Sequence, residues 1–186
     1  MVTTEIHMQQ HHHRTALLII DMQLGMYEGP ETPYEGERVL ANINALIGRA
    51  HDAGCPIFFV RHAGPEGSAI AAGSHFWQLH PRLAIDAAVD RVIDKNRPSC
   101  FYQTGLAEQL NEEGITRLVI AGMKTQYCVD TACRQAGELG FQTLLVADAH
   151  TCSDTQALSA EAIIRHHNLT LSGPFAQLKQ TADVQF

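Results

Sequence analysis

Apolar residues in this chain fall into two patterns: short unbroken runs, and longer stretches where they recur every three or four positions. The runs occupy 15–22 (TALLIIDM), 56–60 (PIFFV), 118–121 and 142–147 (QTLLVA), with a shorter one at 91–94. Each has the length of a strand, and unbroken hydrophobicity is what a parallel strand covered on both faces requires. Helical spacing fills the gaps. Val39, Ile43, Leu46, Ile47 and Ala50 share one face of a predicted helix over 35–53 that ends at Gly54. Thr104 is placed to cap a second helix through Leu106 and Leu110, stopped by Gly114. A third starts near Thr125 and aligns Val129, Ala132, Cys133, Ala136 and Leu139. A fourth covers about 154–167, and LTLSG at 169–173 reads as a short edge strand.

Alternation of strands and helices predicts an α/β protein: a three-layer α-β-α, Rossmann-like fold with a mostly parallel sheet and helices on both faces. No repeat or linker divides the chain, so one domain over 1–186 is expected, with 1–14 as a flexible lead-in. Residues 61–83 keep no clean period and carry Gly64, Pro65, Gly67 and Gly73. They predict a long functional loop with a short helical piece.

Composition narrows the function classes. The 186 residues are 45% hydrophobic and 18% charged, with a formal net charge of -7, which argues against nucleic acid or an anionic membrane as partner. No apolar run is long enough to span a bilayer, and the start, MVTTEIHMQQHHHR, lacks a signal-peptide core. His11 to His13 read as a solvated lead-in. The five cysteines are widely spaced, odd in number and without a C-x-x-C pair. That disfavours a disulfide frame or zinc site and fits a reducing, cytoplasmic compartment.

Sites in open α/β sheets form beyond the carboxyl ends of the strands. Asp21 ends the first run, Lys95 follows the third, and Cys128 follows the fourth, so three reactive types from distant segments share one sheet edge. A thiol, a carboxylate and an ammonium are the parts of a nucleophilic hydrolase. The thiol attacks, the carboxylate carries its proton to a leaving amine, and the ammonium stabilises both anions. In the first turn of a helix, with a cation beside it, Cys128 is expected to shift toward thiolate. Free backbone N–H groups of that turn would receive the developing oxyanion.

With those residues in hand, the sequence resembles the isochorismatase-like cysteine hydrolase superfamily, which includes nicotinamidases, N-carbamoylsarcosine amidohydrolases, maleamate amidohydrolases and ureidoacrylate hydrolases. The resemblance covers about 15–173 and rests on ALLIIDMQ, on Lys95 with SCFYQTGL after it, and on VIAGMKTQYCVDTACRQAGELGF followed by VADAHT. It implies Asp21, Lys95 and Cys128 as a catalytic triad. It also implies a non-proline cis peptide before the nucleophile, placed at Lys124–Thr125, that aims N–H groups near Thr125 and Cys128 at the oxyanion. Family members are commonly dimers or tetramers in which the long loop closes a neighbour's site, so a homo-oligomer is expected.

Departures matter as well. Nicotinamidases of the family carry an Asp-x-His metal motif after the second strand, whereas here the loop holds His62, His75 and His80 and no aspartate. No metal and no cofactor are expected, and nicotinamidase is disfavoured. Members that cleave the isochorismate vinyl ether generally lack the cysteine, so Cys128 points to C–N cleavage of a small amide, carbamoyl or ureido compound. Tyr27, His62, Trp77, Phe101 and Tyr127 are candidates for substrate contact. The rival reading is a catalytically silent protein that holds a small metabolite in the same pocket. A nucleotide-binding Rossmann protein is set aside, because MQLGMYEG after Asp21 lacks the G-x-G-x-x-G spacing.

Overall fold

The structure is a computed structural model that describes residues 14–186. Six parallel strands form one sheet in the order β3-β2-β1-β4-β5-β6. They are β1 (Thr15–Ile20), β2 (Ile57–His62), β3 (Arg91–Lys95), β4 (Arg117–Met123), β5 (Gln142–Thr151) and β6 (Gln177–Lys179). The helices are α1 (Leu24–Tyr27), α2 (Gly36–Asp52), α3 (Leu106–Glu112), α4 (Asp130–Glu138) and α5 (Ala160–Leu171). The His11–His13 lead-in lies outside the described residues.

Strand alternation sorts the core into two halves, because successive side chains leave opposite faces. Leu17, Ile19, Phe59 and Val119 meet the apolar stripe of α2. Leu18, Ile20, Phe58 and Ile120 meet Leu106 and Leu110 of α3 and Ala132 and Ala136 of α4. All six residues of β1 are buried, which is why the run shows no alternation in the sequence. Among the described residues, no helix is long and apolar enough to cross a membrane.

Four expectations change. The last helix begins at Ala160, six residues late, because Ser159 holds the capping position and accepts the amide of Ala162 at 3.3 Å. Asp154 instead ties the loop to the helix start by accepting the amide of Ala160 at 2.8 Å. The helix then absorbs Leu169 and Leu171, so LTLSG is not an edge strand; that role passes to Gln177–Lys179, beyond the turn at Gly173. The long loop is built of turns without a helix, and a short helix, α1, instead follows β1 directly. Gly105, at φ 71, takes the cap position of α3, although the Thr104 hydroxyl still accepts the amide of Leu106 at 3.3 Å.

Beside the carboxyl edge, Gly122 has φ 124, and a Cβ there would lie 2.1 Å from the carbonyl oxygen of Ile20. Strands β1 and β4 can approach this closely only with a bare backbone, and neither main chain can retreat without breaking the ladder. Gly122→Ala is expected to cost about 3 kcal/mol or more of stability, read as a lower midpoint in urea unfolding. A midpoint equal to the wild type would show that the strands can part at no cost.

Candidate active site

The order 3-2-1-4-5-6 reverses direction between β1 and β4, and clefts form at such switch points. Asp21 leaves β1 there in the left-handed region, φ 51, a conformation that aspartate tolerates better than most residues. Its amide still bonds Val60 and its carbonyl accepts from Gln23. Cys128 enters from the far side of the switch point, after β4. Lys95 reaches across from the end of β3, two strands away.

The three side chains meet. Lys95 Nζ donates to Asp21 Oδ2 at 2.8 Å and to Cys128 Sγ at 3.1 Å. Two further acceptors complete its surroundings: His62 Nδ1 at 3.3 Å and the Arg97 carbonyl at 3.2 Å. Asp21 is fully buried, Lys95 is 3% exposed and Cys128 is 9% exposed. The other carboxylate oxygen, Asp21 Oδ1, is buried with no hydrogen-bond partner among the described residues.

Burial and mutual charge set the proton positions. Burial raises the Asp21 carboxyl above its ordinary range, with the Lys95 ammonium opposing it. Burial works against the Lys95 charge, but the Asp21 carboxylate, with a smaller part from Cys128, outweighs it and holds the ammonium above its usual value. The Cys128 thiol is pushed up to about 12 by burial and the Asp21 carboxylate, against which Lys95 is not enough. This reverses the expected drift toward thiolate. Ionising the thiol would add a second negative charge to a dry site holding one cation, so the resting state keeps the thiol protonated. Elevation alone does not mark the nucleophile: burial also raises Cys133, to about 12, and Cys55, to about 11. All five cysteines are free thiols.

The turn carrying Cys128 is wider than the α-helical turn the periodicity implied. Residues Thr125–Val129 form a single π-helical turn before α4. The carbonyl of Lys124 accepts the amides of Tyr127 at 3.1 Å and Val129 at 3.3 Å. It thus skips Cys128, whose amide an α-helix would direct to that carbonyl. The cis peptide lies between Met123 and Lys124, one bond earlier than expected at Lys124–Thr125. Thr125 is fully buried, and its hydroxyl pairs with His150 at 2.9 Å.

Of the five candidates for substrate contact, the fold brings His62 directly to the triad. Burial, and then the Lys95 charge, lower its pKa, so the ring is neutral and can accept from Lys95 through Nδ1. Trp77, on the long loop, stacks instead under the Arg61 guanidinium, 3.6 Å from its ring centroid. Tyr27 packs against His80, with centroids 4.7 Å apart, and donates to the carbonyl of Gly36 at 3.3 Å. Phe101 stacks on Phe141 in the core. The side chain of Tyr127 is 56% exposed.

Sequence reasoning missed Gln23. This buried amide donates to the carbonyls of His62 at 3.0 Å and Trp77 at 2.8 Å, and accepts the His62 amide at 2.8 Å. It joins the ends of β1 and β2 to the long loop. Its one sequence signal is its place two residues after Asp21, in DMQ.

Asp21, His62 and Cys128 offer ligand atoms within 4.8 Å of one another, the spacing of a small metal site. Lys95 Nζ lies 3.3 Å or less from an atom of each, so an ammonium already fills the centre. A metal ion there would have to displace it or accept strong repulsion.

A parallel α/β sheet with a buried carboxylate, ammonium and thiol at its switch point defines a candidate cysteine-dependent enzyme site. Comparison with known proteins then fixes the family: residues 15–174 match the isochorismatase domain, and the chain belongs to the isochorismatase family. It is 33% identical over 143 residues to a streptothricin hydrolase of Streptomyces noursei, covering 76% of this chain and 51% of that one. The chain thus spans about half the length of the streptothricin hydrolases it matches. It is 30% identical to the ureidoacrylate amidohydrolase of Pseudomonas syringae, over 73% of this chain and 69% of that protein. A crystal structure of an isochorismatase family protein superposes with a TM-score of 0.84 at 34% identity, covering 90% of this chain and 98% of that one.

Proposed function

We propose that the chain is a cysteine-dependent hydrolase cleaving the C–N bond of a small amide, carbamoyl or ureido compound. The observation that carries this reading is the contact of one ammonium with both a buried carboxylate and a buried thiol, at 2.8 and 3.1 Å. Two relatives bear the names of a hydrolase and an amidohydrolase, which supports the same class of reaction.

The chemistry follows from the resting proton positions. Cys128 passes its proton to Asp21 as Sγ attacks the carbonyl carbon, so charge moves within the site without a net change. A raised carboxyl pKa makes Asp21 a better base for this transfer. The carbonyl oxygen becomes an oxyanion and takes hydrogen bonds from N–H groups of the Lys124–Cys128 turn. When the tetrahedral adduct collapses, the C–N bond breaks and Asp21 returns its proton to the departing nitrogen. Water, deprotonated by Asp21, then attacks the thioester and releases the acid with the thiol restored. Lys95 keeps its charge throughout and holds the carboxylate and sulfur in place. Neutral His62 faces the ammonium through Nδ1 and is also hydrogen-bonded to the Arg97 backbone, which holds the ring beside the reacting groups. This sequence of steps needs no metal and no cofactor.

The reading also carries a homo-oligomer, dimer or tetramer, in the cytoplasm; light scattering on the purified chain tests the assembly. The activity is tested by ammonia release from a panel of small primary amides, N-carbamoyl compounds and ureides. At least one member of the panel is expected to turn over, with Cys128→Ala reducing the rate by about a thousandfold or more. A Cys128→Ala variant as active as the wild type would refute the mechanism. Tight binding of a panel member without hydrolysis would favour the silent metabolite-binding protein.

A further inference from the structure

Beyond the triad, a second buried polar network runs outward from the catalytic turn. Thr125 Oγ1 is 2.9 Å from His150 Nδ1, and His150 Nε2 is 2.9 Å from Asn168 Oδ1. Asn168 Nδ2 donates in turn to the carbonyl of Ala147 at 3.2 Å. That last bond fixes the rest. With Nδ2 committed to Ala147, Asn168 presents its oxygen to His150, so Nε2 of the ring carries the hydrogen. In a neutral ring Nδ1 is then a bare acceptor, and the Thr125 hydroxyl donates to it. The chain of bonds has one direction, from Thr125 through His150 and Asn168 to Ala147.

We propose that His150 is a positioning residue for the reaction: as a neutral imidazole it clamps the turn bearing Cys128 to helix α5 and so fixes the N–H groups that receive the oxyanion. The inference rests on the hydrolase reading above. Sheet register supports it, because His150 pairs with Gly122 and Thr151 with Met123, immediately before the turn. The ring therefore stands on the neighbouring strand at the point where β4 ends. Thr125 is fully buried and His150 is 1% exposed, and among the described residues no hydrogen bond joins either to the carboxylate, ammonium or thiol. Burial holds the ring at a pKa of about 4, so it stays neutral across the working range.

A satisfied core histidine with no bearing on the chemistry is the competing account, and reversing the hydrogen-bond direction separates the two. Asn168→Asp puts a carboxylate against Nε2 and favours the imidazolium. Both ring nitrogens are then donors, and the Thr125 hydroxyl must turn to accept. Few other groups bias the ring. His167 on α5 disfavours its charge and Asp148 on β5 favours it. On the turn side stand the Thr125 hydroxyl and the Cys152 thiol behind it. Asn168 also borders a surface cavity of about 420 Å³, so the new carboxylate is not sealed in the core.

The experiment uses the full chain and two probes, with peptide mass spectrometry as readout. Iodoacetamide reports the alkylation rate of Cys128. Propionaldehyde reports the oxyanion site, since it adds reversibly to the thiol: an S–C bond forms, the carbonyl π bond opens, and the thiol proton passes to the oxygen. Its binding is read as protection of Cys128 from alkylation.

In Asn168→Asp the half-protecting aldehyde concentration is expected to rise about tenfold near neutral pH and to recover at higher pH as the ring loses its proton. The alkylation rate without aldehyde should stay within about twofold of the wild type, because Asp21 and Lys95 set it. Thr125→Val should weaken aldehyde binding at every pH, and Thr125→Ser should restore it. Protection by aldehyde that Asn168→Asp leaves unchanged, or a parallel fall in protection and alkylation at all pH values, overturns the inference and leaves the hydrolase reading standing. Aldehyde that fails to protect even the wild type overturns that reading, and this inference with it.

Discussion

Asp21→Asn is expected to abolish turnover while making Cys128 easier to ionise. The carboxylate has two opposed effects on the thiol. It is the base the reaction needs, and it is also the negative charge that, with burial, holds the thiol near 12. Asparagine removes both and leaves the Lys95 ammonium 3.1 Å from Sγ without a competing anion. Turnover should fall by about a thousandfold or more, the range for loss of a general base. The alkylation rate of Cys128 by iodoacetamide at pH 7 should rise by about tenfold or more, because a larger fraction is thiolate. Cys133, equally elevated but buried away from Asp21, serves as an internal control and should not change. A slower alkylation in the variant would mean that Asp21 helps to form the resting thiolate, and the site would then be a preformed ion pair.

Lys95→Met carries the largest expected effect on stability. It leaves Asp21, fully buried, without its 2.8 Å partner. Breaking a buried pair from one side costs about 3–5 kcal/mol, mostly the penalty of an unpaired charge. The carboxyl, already raised by burial, rises further without Lys95 and evades part of that cost by keeping its proton. A folded pKa above the unfolded value means that stability is lost as pH rises, so the defect should be larger at pH 8 than at pH 5. Adding Asp21→Asn should recover most of the loss and flatten its pH dependence. Urea unfolding of both variants at the two pH values measures this. A double variant as unstable as Lys95→Met alone would place the cost in packing of the lysine stem.

Strand runs, helix faces and the placement of Asp21, Lys95 and Cys128 on one edge were legible in the sequence. Each depends on local periodicity plus the rule that parallel strands share a direction. The last helix was misplaced because Asp154 and Ser159 are both competent caps; Ser159 takes the cap, and Ala160 and Ile163 of the first turn pack against Cys152. Gln23 was overlooked because an amide carries no chemical signature; its importance comes from three bonds to segments 39 and 54 residues away. Tyr27, Phe101 and Tyr127 were chosen for nearness in sequence to the triad, which does not say which way a side chain faces.

By itself the sequence determined the architecture, the family resemblance and the three groups that meet at the switch point. These follow from the order of hydrophobic runs and from residue identity, both one-dimensional quantities. The tertiary structure alone decided how those groups behave. It replaced the α-helical turn around Cys128 with a wider one, and it linked Thr125 to His150 across two strands. It also kept the thiol protonated. Ionisation depends on how much water the whole fold excludes and on distances between charges far apart in the chain. Such quantities exist only once the chain has closed around them.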